Sequence, residues 1–325
     1  MRTLTKRALL AATVAFGLAG VTADATLAQQ QLSIATGGTG GVYYPLGGGF
    51  ASIIGKKLPG TTASAQVTGG SVANLELLGR DKADLAFVQV DAAWDAINGQ
   101  DKFKSGKLDI KALVVMYPNH MQAVTIEGTG ITKIEDMKGK RISTGSAGSA
   151  TEIFAFRVLE AAGLDPMKDI VRERLGAAES ANAMKDKKID AFFFVAGLPT
   201  AAITDLAATP GTKIKMIDTA HLAPKMVQKY GEIYSATVIP KTTYPGMDAD
   251  NPNVAVWNIM AVNGKMSDDL AYNLTKLMME SREDLGQAHA EGKNIREQNQ
   301  TKVKAGVPFH PGALKYFAEK GIKVQ

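Results

Sequence analysis

Apolar and polar positions follow one another along this chain with two different periods, and each change of period marks an element. The short runs Leu32-Ser33-Ile34-Ala35, Thr62 to Val67 and Ala83 to Val88 predict strands. Between them, Pro45 to Leu58 and Val72 to Arg80 carry apolar residues at helical spacing and predict helices. Such alternation implies a mainly parallel sheet with helices on its faces. Ala112 to Met116 and Met121 to Ile126 predict two further strands, broken by a turn at Pro118-Asn119-His120. Ser235 to Pro240 and Val254 to Val262 predict another pair, joined by a loop from Lys241 to Asn253 rich in Pro, Gly and Asp. Ser267, Asp268 and Asp269 then predict the start of one long helix whose Leu270, Leu274, Leu277, Met278 and Leu285 share a face, and a short helix follows His310-Pro311.

The first unit is echoed later in the chain. Lys140 to Gly148 repeats the pattern of Leu32 to Gly40, and Lys187 to Phe193 that of Asp81 to Phe87. Nearly equal lengths separate Thr36 from Asp84 and Thr144 from Asp190. This predicts two similar lobes, and because strands and a helix follow the second unit, the chain is expected to return and complete the first. The expected division is 29–121 plus 236–325 for lobe I and 122–235 for lobe II, with a hinge where the chain crosses twice.

Glycine-rich bends join strand to helix in three places: Thr36 to Gly49, Thr68-Gly69-Gly70-Ser71, and Thr144 to Ser149. Such bends leave backbone N–H groups unpaired at the positive end of a helix dipole, where an anion binds without a charged side chain. In open α/β sheets ligands sit beyond the carboxyl ends of the strands, where these bends fall. Neutral donors and small residues gather there, among them Thr36, Tyr43, Asp91, Gly148, Ala196 and Pro199. Arginine is missing from the bends, so a carboxylate ligand is expected to be held by amides and hydroxyls.

Composition narrows the chemistry. Arg2, Lys6 and Arg7 precede an uncharged apolar run from Ala8 to Val21, and small residues at Ala23 to Ala25 and Thr26 to Ala28 offer two cleavage sites; residues 1–28 read as a secretory signal peptide. About 300 residues remain, enough for two cores. The formal net charge of +5 is scattered rather than gathered into a basic stripe, which speaks against nucleic acid. With no Cys in the chain, disulfides, thiolate metal sites and a cysteine nucleophile are excluded. The nucleotide motifs fail: GxGxxG from Gly38 requires Gly where Tyr43 stands, and a phosphate loop ending at Gly55-Lys56 requires Gly and Ser or Thr where Phe50 and Lys57 stand. GxSxG fails at Thr144, there is no HExxH, and His120, His221, His289 and His310 are scattered. No catalytic constellation, metal site or cofactor is expected.

The segments TGGTGGVYYPLGG, TGGSVANLELL, ADLAFVQVD, KGKRISTGSAGSATE, IDAFFFVAGLPTAAI, TYPGMDADNPNVAVWNIMAV and HPGA together resemble the TAXI family, the extracytoplasmic solute-binding proteins of TRAP (tripartite ATP-independent periplasmic) transporters. The resemblance covers essentially the whole mature chain. It implies an α/β two-lobed periplasmic-binding-protein fold of type II with the ligand cleft between two mixed domains. It also implies a periplasmic monomer that delivers a small carboxylate, such as glutamate, glutamine or 2-oxoglutarate, to TRAP membrane subunits. The ligand contacts it implies are Gly37, Gly38, Tyr44, Ser71, Asn74, Gln89, Ser146, Ser149, Thr151 and Gly197. One departure is Gly148-Ser149-Ala150-Thr151, where the family commonly has GSGT; Ala150 keeps its N–H but adds a methyl group. The alternatives are an exported sensor subunit of the same fold and an enzyme acting on a small anionic metabolite.

Overall fold

The computed structural model describes residues 29–303 and 306–324. The expected leader, 1–28, lies outside them. The strands among the described residues are β1 (Gln30–Ala35), β2 (Thr61–Gln66), β3 (Leu85–Gln89), β4 (Ile110–Ile126), β5 (Arg141–Ser143), β6 (Val171–Glu173), β7 (Ala191–Ala196), β8 (Ile214–Met216), β9 (Tyr234–Ile239) and β10 (Asn251–Asn263). The helices are α1 (Tyr43–Lys57), α2 (Ser71–Gly79), α3 (Val90–Asn98), α4 (Ala150–Ala161), α5 (Ala177–Lys185), α6 (Ala201–Ala207), α7 (Ala223–Tyr230), α8 (Asp268–Glu280), α9 (Arg282–Ala288) and α10 (Pro311–Glu319). None is long and apolar enough to cross a membrane.

The strand order is β2-β1-β3-β10-β4-β7-β5-β6, and it reads the same way from both ends. In one half β1 pairs parallel with β2 and β3, and β3 pairs antiparallel with β10. In the other, β5 pairs parallel with β6 and β7, and β7 pairs antiparallel with β4. The echo extends to the strand starts. Asp84 accepts from the amide and hydroxyl of Ser33, and Asp190 accepts from the amide of Arg141 and pairs with its guanidinium at 2.7 Å. Both aspartates thus tie neighbouring strands together at the end away from the glycine bends.

The long strands β4 and β10 run through both halves and pair with each other. The expected turn at Pro118-Asn119-His120 is absent: β4 is continuous from Ile110 to Ile126. Proline cannot donate to a ladder, and the register shifts beside Pro118: between the pairs Trp257–Pro118 and Ile259–Val115, two residues of β4 stand opposite one of β10, so β4 bulges next to the proline and continues. The long helix expected from Ser267 through Leu285 is also divided, at Ser281. There Ser281 Oγ accepts from Lys57 Nζ, and α9 turns to pack against α1.

Burial explains how the first bend is held. Leu46, Phe50, Ile53 and Ile54 place the apolar face of α1 on the sheet, where α8 and α10 share its core. A Cβ at Gly47 would come within 2.4 Å of the Thr36 methyl, so glycine there lets the helix settle onto the end of β1. The bend is therefore fixed from both sides.

Candidate functional site

All three glycine bends meet around a single cavity of about 350 Å³. A fourth bend, Leu175-Gly176 between β6 and α5, completes its wall. The first-turn residues Tyr43 of α1, Ser71 of α2, Ala150 and Thr151 of α4, and Ala177 of α5 all line it. Four helices thus aim their N-terminal ends at one space, with unspent amides and the positive ends of their dipoles. The amides of Ala150 and Thr151 enter no hydrogen bond among the described residues. Neutral dipoles alone make this an anion's surroundings.

The two halves of the sheet furnish the floor in the same way. At the end of β3 the Gln89 amide donates to Ser71 Oγ, 3.1 Å away, and at the end of β7 the Val195 amide donates to Thr151 Oγ1, 3.3 Å away. Each first-turn hydroxyl is thereby oriented by a strand that comes later in the chain. Gln89 Nε2 reaches across to the Val195 carbonyl at 3.4 Å, joining the two strand ends.

The cavity is closed over by contacts between bends. Ser146 Oγ donates to the Gly69 carbonyl at 2.8 Å, and the Ala73 amide donates to the Gly148 carbonyl at 2.9 Å. On the other side the Ala202 amide donates to the Gly40 carbonyl. Glycine is what permits this approach: a Cβ on Gly69 would stand 2.3 Å from the Ala147 carbonyl oxygen, and one on Gly40 would stand 3.1 Å from the Ala178 nitrogen.

Of the residues expected to touch ligand, Gly37, Gly38, Ser71, Gln89, Ser146, Ser149 and Thr151 line the cavity. Ser149 does so as the cap of α4, its Oγ accepting from the Glu152 amide and its own amide donating to Ser146. Tyr44, Asn74 and Gly197 do not line it. Tyr44 is 37% exposed, because successive helical residues point in different directions and Tyr43 takes the inward one. The Tyr43 hydroxyl accepts from Asn119 Nδ2 at 2.8 Å, and burial raises its pKa above the ordinary phenol value. Gly197 has a packing role, since a Cβ there would strike the Tyr117 ring and the Glu291 side chain at 2.7 Å.

Asn74 lies fully buried beneath the site. Its Nδ2 donates to the carbonyls of Thr36 at 2.7 Å and Phe87 at 2.8 Å, and its Oδ1 accepts from the Thr68 hydroxyl at 2.6 Å. It ties the first two bends to β3. Asn74→Ala should cost about 3 kcal/mol of stability by stranding those buried partners. Urea denaturation checks this, and a loss below about 1 kcal/mol would deny the strut.

The three expected bends carry no arginine, but the unanticipated fourth bend brings Arg174 into the cavity wall. Its Nε lies 2.7 Å from Glu152 Oε1 and its Nη2 3.2 Å from Oε2. Glu152 is buried, with Lys102 at 3.8 Å and Arg172 at 3.9 Å, so cations outnumber the carboxylate that orients them. Glu179 adds a carboxylate to the same wall, over the N-terminus of its own helix. The neighbourhood of β6 thus presents an oriented guanidinium beside four helix ends.

Solved structures share this architecture at low identity. A binding protein component of an ABC phosphonate transporter from Pseudomonas aeruginosa aligns with a TM-score of 0.54 and 12% identity over 82% of this chain and 80% of that one. A protein described as a periplasmic transporter aligns with a TM-score of 0.53 and 13% identity over 90% and 92%. The periplasmic aliphatic sulphonate binding protein of Escherichia coli aligns with a TM-score of 0.45 and 16% identity over 89% and 83%. At such identities the likeness is one of fold, and the fold is the two-lobed one of periplasmic binding proteins. The model of the NMT1-like family matches residues 34–321, nearly the whole described chain, and the protein belongs to that family.

Proposed function

We propose that this protein is a periplasmic solute-binding protein, not an enzyme, that encloses a small carboxylate between two lobes and delivers it to the membrane subunits of a TRAP transporter. The lobes are 29–121 with 236–325, and 122–235; residues 1–28 direct export, and the protein works as a monomer. The convergence of four helix N-termini on one cavity carries this reading, because it supplies backbone donors for an anion. Amides of α2 and α4, with the Ser71 and Thr151 hydroxyls, hold one carboxylate. Arg174 meets a second anionic group where the ligand has one. TRAP delivery follows from the resemblance of the glycine segments to the TAXI family.

Calorimetric titration of refolded protein with succinate, glutamate, glutamine and 2-oxoglutarate tests the carboxylate. Arg174→Met should weaken the two-carboxylate acids by about tenfold, a modest figure because the guanidinium is part-exposed, while glutamine changes little. Equal losses for all four would remove Arg174 from ligand selection. The second reading is delivery to an ATP-driven importer, favoured by the description of one structural neighbour as an ABC transporter component. Uptake into vesicles holding the cognate membrane subunits separates the two: ion-gradient collapse stops a TRAP system, and ATP depletion stops an ABC system.

A further inference from the structure

A second polar cluster lies away from the cavity, buried where α3, α4 and β9 meet. Asp91 and Asp95 stand one turn apart on α3, and both face Arg157 of α4. Arg157 Nη2 donates to Asp95 Oδ2 at 2.6 Å, and Nη1 donates to the Tyr234 hydroxyl at 2.8 Å. That hydroxyl donates in turn to Asp91 Oδ2 at 2.8 Å, while Asp91 Oδ1 accepts from the Ala92 amide. The remaining groups around Arg157 are Asp101 at 3.8 Å, the Tyr230 ring 4.4 Å from the guanidinium, and Glu160, whose carboxylate is taken by Lys229 and the Tyr230 hydroxyl. One buried cation therefore confronts two buried carboxylates.

We propose that Asp91, Asp95, Arg157 and Tyr234 form a proton-linked clasp between the lobes, so that closing the cleft takes up a proton and the closed form gains as the medium acidifies. The inference rests on the two-lobe reading above, which puts Asp91 and Asp95 in one lobe and Arg157 and Tyr234 in the other. Burying a second carboxylate against a single guanidinium leaves an uncompensated charge in a region of low dielectric, and a proton removes it. Of the two, Asp91 is the better satisfied, with a tyrosine donor, a backbone donor and the N-terminal end of α3 beside it. Burial raises the Asp91 carboxyl as well, so the pair takes up one proton between them, and Asp95 reports it. Burial pushes the Asp95 carboxyl up to about 6 against the pull of Arg157, with Asp91 and Asp101 adding to the rise.

The sign follows from linkage. In the open form Asp95 is hydrated and titrates near the ordinary carboxylate value of about 4. The closed form therefore holds the extra proton between about 6 and about 4, and closure is favoured as pH falls through that window and unaided above it. From pH 7 to pH 5 the closed-to-open ratio should rise roughly tenfold.

The chain has no Cys, so a spin-label pair can be placed cleanly at exposed positions in the two halves, Glu76→Cys with Met167→Cys. Pulsed electron–electron resonance on the ligand-free protein then reads the closed fraction directly. The short-distance population should grow roughly tenfold relative to the long one between pH 7 and pH 5. Asp95→Asn, which keeps an acceptor for Arg157 without the charge, should be closed at pH 7 to the degree reached by the parent at pH 5, and should not respond to pH. A pH-independent distribution in the parent, or an undiminished response in Asp95→Asn, would overturn the clasp. Because no ligand is used, failure to bind carboxylates would sink the proposed function and leave this result standing.

Discussion

Gly38→Val is expected to lower affinity for the bound acid by about 100-fold, roughly 2.7 kcal/mol, with the melting temperature of the ligand-free protein unchanged. Gly38 lines the cavity, and a Cβ built there meets no protein atom within 4 Å. The added isopropyl group thus occupies space that belongs to ligand and to nothing else. Calorimetry with the strongest-binding acid, beside a melting curve without it, separates the two effects. Parent-like affinity in a folded Gly38→Val protein would mean that the ligand does not use the first bend.

Gly69→Ala should also weaken binding by about 100-fold, for a different reason. Its methyl group would lie 2.3 Å from the Ala147 carbonyl oxygen, a backbone atom of the opposite half that cannot swing aside. The second and third bends must then separate, and with them go the Ser146 to Gly69 and Ala73 to Gly148 hydrogen bonds that shut the cavity. Gly69 lies outside the packed apolar core that the two halves share, so stability should fall far less than affinity. The dissociation rate is the sensitive readout, because a cleft held ajar loses its ligand sooner. An unchanged dissociation rate would show that ligand is retained without this contact.

Much of this architecture was legible in the chain because it is local. Glycines between a β-branched run and a helical run announce a strand-to-helix bend wherever they occur, and three bends were found that way. The echo between Asp84 and Asp190 was likewise visible, since each follows a short Lys-containing turn and opens an apolar strand. What could not be read depends on contacts distant in sequence. The fourth bend follows β6, a three-residue strand with an exposed Val171 that leaves almost no apolar pattern, so Arg174 gave no sign of facing the cavity. Tyr43 and Tyr44 differ by one step of helical phase, and the Gly47-Gly48-Gly49 that follows carries no side chains to fix that phase. Pro118 argued for a turn, and only the bulge in β4 beside it, set by its pairing with β10, shows how a strand continues. Arg157 did leave a signal: it is a cation inside the otherwise apolar run Ile153 to Leu159, and a buried partner is the usual reason for one there.

Thermal unfolding of refolded, ligand-stripped protein against a panel of C4 to C6 acids, amino acids, ATP and NAD tests carboxylate capture most directly. A ligand that binds only the folded state adds roughly 2.7 kcal/mol at 100 times its dissociation constant, which is readily seen as a higher melting temperature. A carboxylate-binding cavity predicts a rise with one or a few acids, none with nucleotides, and loss of that rise in Gly38→Val. No rise with any acid, or a rise that survives in Gly38→Val, would contradict it.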